Sequence, residues 1–169
     1  SSENVDDSID CVDISYIDKI LPNLTKFTTS KAISGSSSMK LHELNVDYRN
    51  VNYGYGFSPK LYFDVSELEK LTLIGSNVGF ENGDFSHLKY LSVSGSIYDI
   101  DQFKFPDSLE EFHLNPYIRK DDDSSTYQSF SQSVIDKISK LSNLKVLDFS
   151  GETALGDTRN WNSDTNRDE

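Results

Sequence analysis

Apolar residues along this chain recur in one local pattern: a leucine, an apolar residue three positions on, and another two positions after that. In "HLKYLSVSGS", residues 87 to 96, the three are Leu88, Leu91 and Val93. The pattern also appears at Leu24/Phe27/Thr29, Leu41/Leu44/Val46, Leu68/Leu71/Leu73, Leu109/Phe112/Leu114 and Leu144/Leu147/Phe149, making six units in all. Only the first unit departs, with Thr29 in third place. First positions lie 17, 27, 20, 21 and 35 residues apart. One match means little, because helices readily place apolar residues three apart. Five complete matches, two at successive spacings of 20 and 21, make a repeat.

Within each unit the second and third apolar residues alternate with polar ones, a period of two that predicts a short strand with one face inward. Such a strand cannot bury that face alone. Stacked units form a parallel sheet with a continuous apolar ladder. The outward positions then fall in three rows: Lys26, Glu43, Lys70, Tyr90, Glu111 and Val146; Thr28, Asn45, Thr72, Ser92, His113 and Asp148; and Ser30, Asp47, Ile74, Ser94, Asn115 and Ser150. The Lys26-Glu43-Lys70 stretch alternates in sign, so neighbouring strands can pair charges. Ile74, Tyr90 and His113 fall on adjacent strands mid-sheet, a surface suited to anchoring a partner, since tyrosine is enriched in binding hot spots. With Asn45, Asp47, Lys70, Thr72 and Ser92 they form the candidate binding site. The plain alternative is that these side chains fill the face against one another or against the loop at Asp121.

Connections between strands are mixed. "SVIDKISKLSNL" before the last strand carries Val134, Ile135, Ile138 and Leu141 at helical steps. "ISYIDKILPNL" before the first carries Ile14, Ile17, Ile20 and Leu21, and Pro22 ends it. "GFENGDFSH" and "DIDQFKFPDS" are short and rich in Gly, Asp and Pro, which predicts extended chain or a single tight turn. Phe57, Phe63, Phe80, Phe85, Phe103, Phe105 and Phe130 supply a second wall of the core. Residues 1–13 read as an acidic flank that frays, 14–151 as the repeat domain, and 152–169 as a polar tail or poor cap, with Leu155 and Trp161 available to cover the core. "RKDDDSSTYQS", inside the longest interval, reads as a protruding loop.

"LEKLTLIGSNV", Leu68 to Val78, and "LKYLSVSGSIY", Leu88 to Tyr98, resemble the strand signature of the leucine-rich repeat family. The resemblance runs from about Leu24 to Phe149. It departs at the family's asparagine position, occupied here by Ala32, Arg49, Ser76, Ser96, Tyr117 and Glu152, and in the uneven intervals. The resemblance implies an α/β fold: a leucine-rich-repeat solenoid with a concave parallel β-sheet of five to six short strands and mixed helix and extended connections on the convex side. "FPDSLEEFHL" is similar to divergent repeats of fungal F-box and related regulatory proteins. That likeness implies non-catalytic protein recognition or scaffolding, with a partner on the concave face of an intracellular adaptor such as a substrate-recruiting subunit, in cytoplasm or nucleus.

Composition narrows the partner. The chain has 169 residues, 28 acidic against 16 basic, for a formal charge of −12. Such a chain repels phosphate backbones and anionic membranes without a local basic patch, and its lysines and arginines are scattered. A protein partner is expected, and a basic protein surface matches the charge; nucleic acid and membrane insertion are not expected. The single cysteine, Cys11, allows no internal disulfide and fits a reducing compartment. It also weighs against the alternative, an ectodomain of a secreted or cell-surface receptor, which occupancy of the sequon Asn23-Leu24-Thr25 would favour.

Candidate chemistry is sparse. His42, His87 and His113 lack partners at metal-ligand spacing. Asp121–Asp123 lacks the alternation of a calcium loop, and Asp164, Asn166 and Asp168 are followed by Glu169 where the turn glycine belongs. No nucleophile elbow or phosphate-binding glycine loop occurs. The expectation is no catalytic residue, no metal and no cofactor.

Overall fold

The computed structural model describes residues 11–49, 63–75, 83–94, 103–115 and 132–150. In chain order these form β1 (Cys11–Asp13), α1 (Ile17–Ile20), β2 (Lys26–Thr29), β3 (Ala32–Ser34), β4 (Ser37–Lys40), β5 (Glu43–Asp47), β6 (Phe63–Asp64), β7 (Lys70–Ile74), β8 (Tyr90–Ser94), β9 (Glu111–Asn115), α2 (Gln132–Ile138) and β10 (Val146–Asp148). Every one of the six pattern units contributes a strand to one parallel sheet, in the order β10-β9-β8-β7-β5-β2. Two further parallel pairs, β1 with β3 and β4 with β6, stand apart from it. The protein is therefore α/β, with a six-stranded parallel sheet and few helices among the described residues.

Register follows the pattern without a slip. Phe27, Leu44, Leu71, Leu91, Phe112 and Leu147 align in one row, each opposite the next. A one-residue slip would turn every leucine to solvent, so the alternation itself holds the alignment. The turn leading into each strand is repeated as well. The N–H groups of Leu24, Leu68, Leu88, Leu109 and Leu144 donate to carbonyls three residues earlier, at 2.9 to 3.3 Å. One residue later, the carbonyls of Thr25, His42, Glu69, Lys89 and Glu110 each accept two N–H bonds from the next strand. An Asp-x-Ser turn adds to this before β7 and β8, where Asp64 Oδ1 accepts Ser66 N–H and Asp84 Oδ1 accepts Ser86 N–H, both at 3.0 Å. Aspartate suits the place because its short carboxylate reaches the backbone two residues on.

The core lies beneath the inward rows. Leu41, Leu44, Leu68, Leu71, Leu73, Leu88, Leu91, Leu109, Phe112 and Leu114 are all fully buried. Phenylalanine rings close the other side: Phe85 meets Phe103 at 5.4 Å, Phe103 meets Phe105 at 5.0 Å, and Phe105 meets Phe112 at 5.1 Å between centroids. Phe63 is buried against Phe27. Phe57, Phe80 and Phe130 lie outside the described residues, as do Ser76, Ser96, Tyr117, Leu155, Trp161 and both acidic stretches considered above. Thr29, the defective pattern residue, keeps its place by bonding locally: its hydroxyl donates to Lys31 O and accepts Lys31 N–H.

Three expectations change. Cys11–Asp13, placed in the fraying flank, instead forms β1, held by β3. The first helix is a single turn, Ile17–Ile20, too short to complete an apolar stripe, so Ile20 is 72% and Leu21 49% exposed. Leu147, expected inward, is 47% exposed: among the described residues β10 is an edge strand of three residues with a neighbour on one side. α2 carries Val134, Ile135 and Ile138 of its pattern, the first and last buried and Ile135 half-buried, and Leu141, also buried, follows the helix end. Among the described residues no helix is long and apolar enough to cross a membrane.

Candidate partner-binding face

The outward residues of the sheet align in the three expected rows, because strand pleating sends alternate side chains to opposite faces. Lys70 stands opposite Tyr90, and Tyr90 opposite Glu111; Thr72, Ser92 and His113 form the next row, ending at Asp148 on β10. Ile74 pairs with Ser94 in the third row and is half-buried. Asn45 and Asp47 lie on β5, beside Thr72 and Ile74.

The two sides of this face differ. Around β2, β5 and β7, charges are consumed internally. Glu43 Oε1 lies 3.1 Å from Lys26 Nζ and 3.9 Å from Lys70 Nζ, and accepts the Asn45 amide at 3.0 Å. These contacts, the Asn45 hydrogen bond first and then Lys26, hold the Glu43 carboxyl below its usual range. Asp47 grips Arg49 through two oxygens, Nη2 to Oδ2 at 2.6 Å, and that guanidinium lowers its pKa. Asn45 and Asp47 thus belong to a self-satisfied surface.

Around β8, β9 and β10 the arrangement is aromatic and acidic. The Tyr90 ring lies 5.2 Å from the His113 ring and carries Lys70 Nζ 4.9 Å from its centroid on the β7 side. His113 sits between two carboxylates, Nδ1 3.1 Å from Asp148 Oδ2 and Nε2 3.4 Å from Glu111 Oε2. A neutral imidazole donates through one nitrogen only, whereas an imidazolium donates to both. The His113 bond, followed by the Ser150 hydroxyl and backbone N–H, holds the Asp148 carboxyl below its usual range. Glu111 and Asp148 remain accessible, with side chains 46% and 37% exposed against 22% for His113.

Of the eight expected site residues, Lys70, Tyr90 and His113 meet directly, Thr72, Ser92 and Ile74 border them, and Asn45 and Asp47 do not join. Glu111 and Asp148 were missing from that set. The signal for them was present, since the outward rows already place Glu111 beside Tyr90 and Asp148 beside His113. Chemically, an imidazole on a carboxylate is part of a hydrolytic triad, but the other nitrogen here faces Glu111 and not a hydroxyl nucleophile. Among the described residues no group of three or more His, Cys, Asp or Glu is arranged to hold a metal ion.

Comparison with protein-family models, with curated proteins and with solved structures returns no match.

Proposed function

We propose that this chain is a leucine-rich-repeat solenoid that recognises a protein partner on the concave, outward face of its sheet, without catalysis. The adaptor role, recruiting a substrate or partner inside the cell, goes with that reading. The observation that carries it is the mid-sheet cluster of Lys70, Tyr90 and His113, flanked by accessible Glu111 and Asp148. A curved sheet presents area and side-chain variety without a closed cleft, which suits recognition by a few anchors within a larger contact.

The test is capture of partners from the native cell, identified by mass spectrometry, beside a Tyr90→Ala/His113→Ala variant shown by circular dichroism to stay folded. Specific loss of one protein with the variant supports a concave site. Identical retention by both forms sinks it.

A second reading, the receptor ectodomain, is favoured by one observation: Asn23 and Thr25 of the sequon are both exposed, Asn23 in the turn after Pro22. A mass shift on peptide-N-glycosidase treatment of the native protein, absent in Asn23→Gln, would select it.

A further inference from the structure

Among the described residues the exposed large apolar side chains are Tyr16, Ile20, Leu21, Val146 and Leu147, and all of them belong to the first or the last unit of the sheet. Leu21 shows what the first unit lacks. Its carbonyl accepts the Leu24 N–H, the turn position that Val65, Phe85 and Leu141 hold before Leu68, Leu88 and Leu144. Those three are buried, whereas Leu21 is 49% exposed. Leu141 stands in the last unit and is covered all the same, so this position takes its cover from the unit before, and among the described residues the first unit has none. Leu147 lacks the opposite neighbour, a strand following β10. The backbone has the same polarity. In each inner step a carbonyl, such as Glu110 O, accepts two N–H groups from the next unit, here those of Lys145 and Val146. Lys145 O holds the acceptor place in the last unit, and the Thr25 and Lys26 N–H groups hold the donor place in the first; none of these has a partner among the described residues.

From this geometry, and independently of the concave-face reading, we propose that copies of this chain join head to tail, β10 of one copy adding to the free side of β2 in the next. The occupant is a second copy because the two ends are the two halves of one joint. One end offers the acceptor and an uncovered inward leucine, and the other offers the donors and an uncovered turn leucine. Pairing in the register of every inner step sets Leu147 opposite Phe27, Val146 opposite Lys26 and Asp148 opposite Thr28. No like charges meet there, since the Lys26 ammonium already lies 3.1 Å from Glu43, and like charges directly opposite are what a strand pair avoids. A row of unpaired N–H and C=O groups is a template for another strand, and burying the leucines at both ends adds the hydrophobic gain. An antiparallel pair of two β10 strands would satisfy that edge alone and leave Leu21 and the Thr25 and Lys26 donors in water. A head-to-tail joint uses different surfaces on the two copies, so it builds a ring where the rotation closes and an open array where it does not.

The test is sedimentation velocity of the intact chain between about 1 μM and about 1 mM, where the mean mass is expected to rise with concentration past that of a dimer. Ile20→Lys/Leu21→Lys blocks the first end and Val146→Lys/Leu147→Lys the last, lysine being the residue natural sheet edges use against pairing. Each variant moves the formal charge from −12 to −10 by adding two lysines, so a loss of association does not come from greater net repulsion. Either variant alone is expected to stay monomeric, and an equal mixture to reach about twice the monomer mass and stop there, because one open end of each kind remains. Circular dichroism checks that both are folded; if the last-end variant is not, Val146→Lys alone, which keeps the inward Leu147, takes its place. An unaltered chain that is monomeric throughout, because its own remaining residues cover the ends, overturns the proposal. So does association of the first-end variant by itself, which means like edges pair, and so does a mixture that stays monomeric.

Discussion

Leu91 and Leu147 hold the same place in the repeat pattern and fall in one row of the sheet, yet Leu91 is fully buried and Leu147 is 47% exposed. β8 has a strand on each side and five residues, whereas β10, among the described residues, has one neighbour and three. The alternation of the sequence decides which way a side chain points. How far it leaves water depends on how many strands flank it, which no single unit contains. The middle of the sheet and its edge are thus built from the same local code at different energies.

The widest separation is expected from truncation. Leu91→Ala should cost about 2–5 kcal/mol, the lost transfer energy plus a cavity the fixed neighbours cannot close. Leu147→Ala should cost about 1 kcal/mol or less, since half of its surface already meets water. Urea unfolding measures both, and equal costs would break the comparison between middle and edge.

Glycine replacement sharpens it further. Gly75, after the central β7, has φ +126, and an added Cβ would lie 2.8 Å from the Tyr48 carbonyl carbon. Backbone cannot step aside, so Gly75→Ala should cost about 1–3 kcal/mol. At Gly35 (φ +77), the atoms met first are the side chains of Ser15 and Asp13, which can rotate. Gly35→Ala should therefore cost less in the same assay.

Acid is the third lever. Asp64 and Asp84 are held below the ordinary 3.8 by the Ser66 and Ser86 hydroxyls and then their backbone N–H groups, Asp47 by Arg49, and Glu43 is held below 4.5. A carboxyl whose folded pKa is depressed contributes its stability above the unfolded value and loses it as pH falls through the folded one. The urea midpoint should therefore be flat between about pH 7 and 6 and drop below about 4. Asp64→Asn, in a central turn, should shrink that drop. The smallest effect belongs to the paired surface: Glu43→Gln should change stability by about 0–1 kcal/mol, less at high salt.

Much of this was readable in advance. The three outward rows, the inward ladder, α2 and the phenylalanine wall over the described residues follow from a period of two, a period of 3.6 and the size of the rings. β1 was not readable, because Cys11–Asp13 carries no alternation and is ordered only by pairing with β3. Nor was the shortness of α1, whose apolar spacing persists beyond the one turn that forms. In the candidate site, Tyr90 and His113 were legible as neighbours from offsets alone. That Asn45 and Asp47 would be occupied by Glu43 and Arg49 depended on side-chain rotamers, which offsets do not specify.

The sequence by itself determined which residues face inward, which strands lie side by side and in what register, since each unit repeats the same alternation and a slip would expose every leucine. Only the tertiary structure decided which of those positions are dry, which charges are spent on one another, and that Glu111 and Asp148 close around His113 from two strands joined 35 residues apart. Burial and charge pairing depend on neighbours brought together in space, and they are properties of the assembled sheet, not of any stretch of chain.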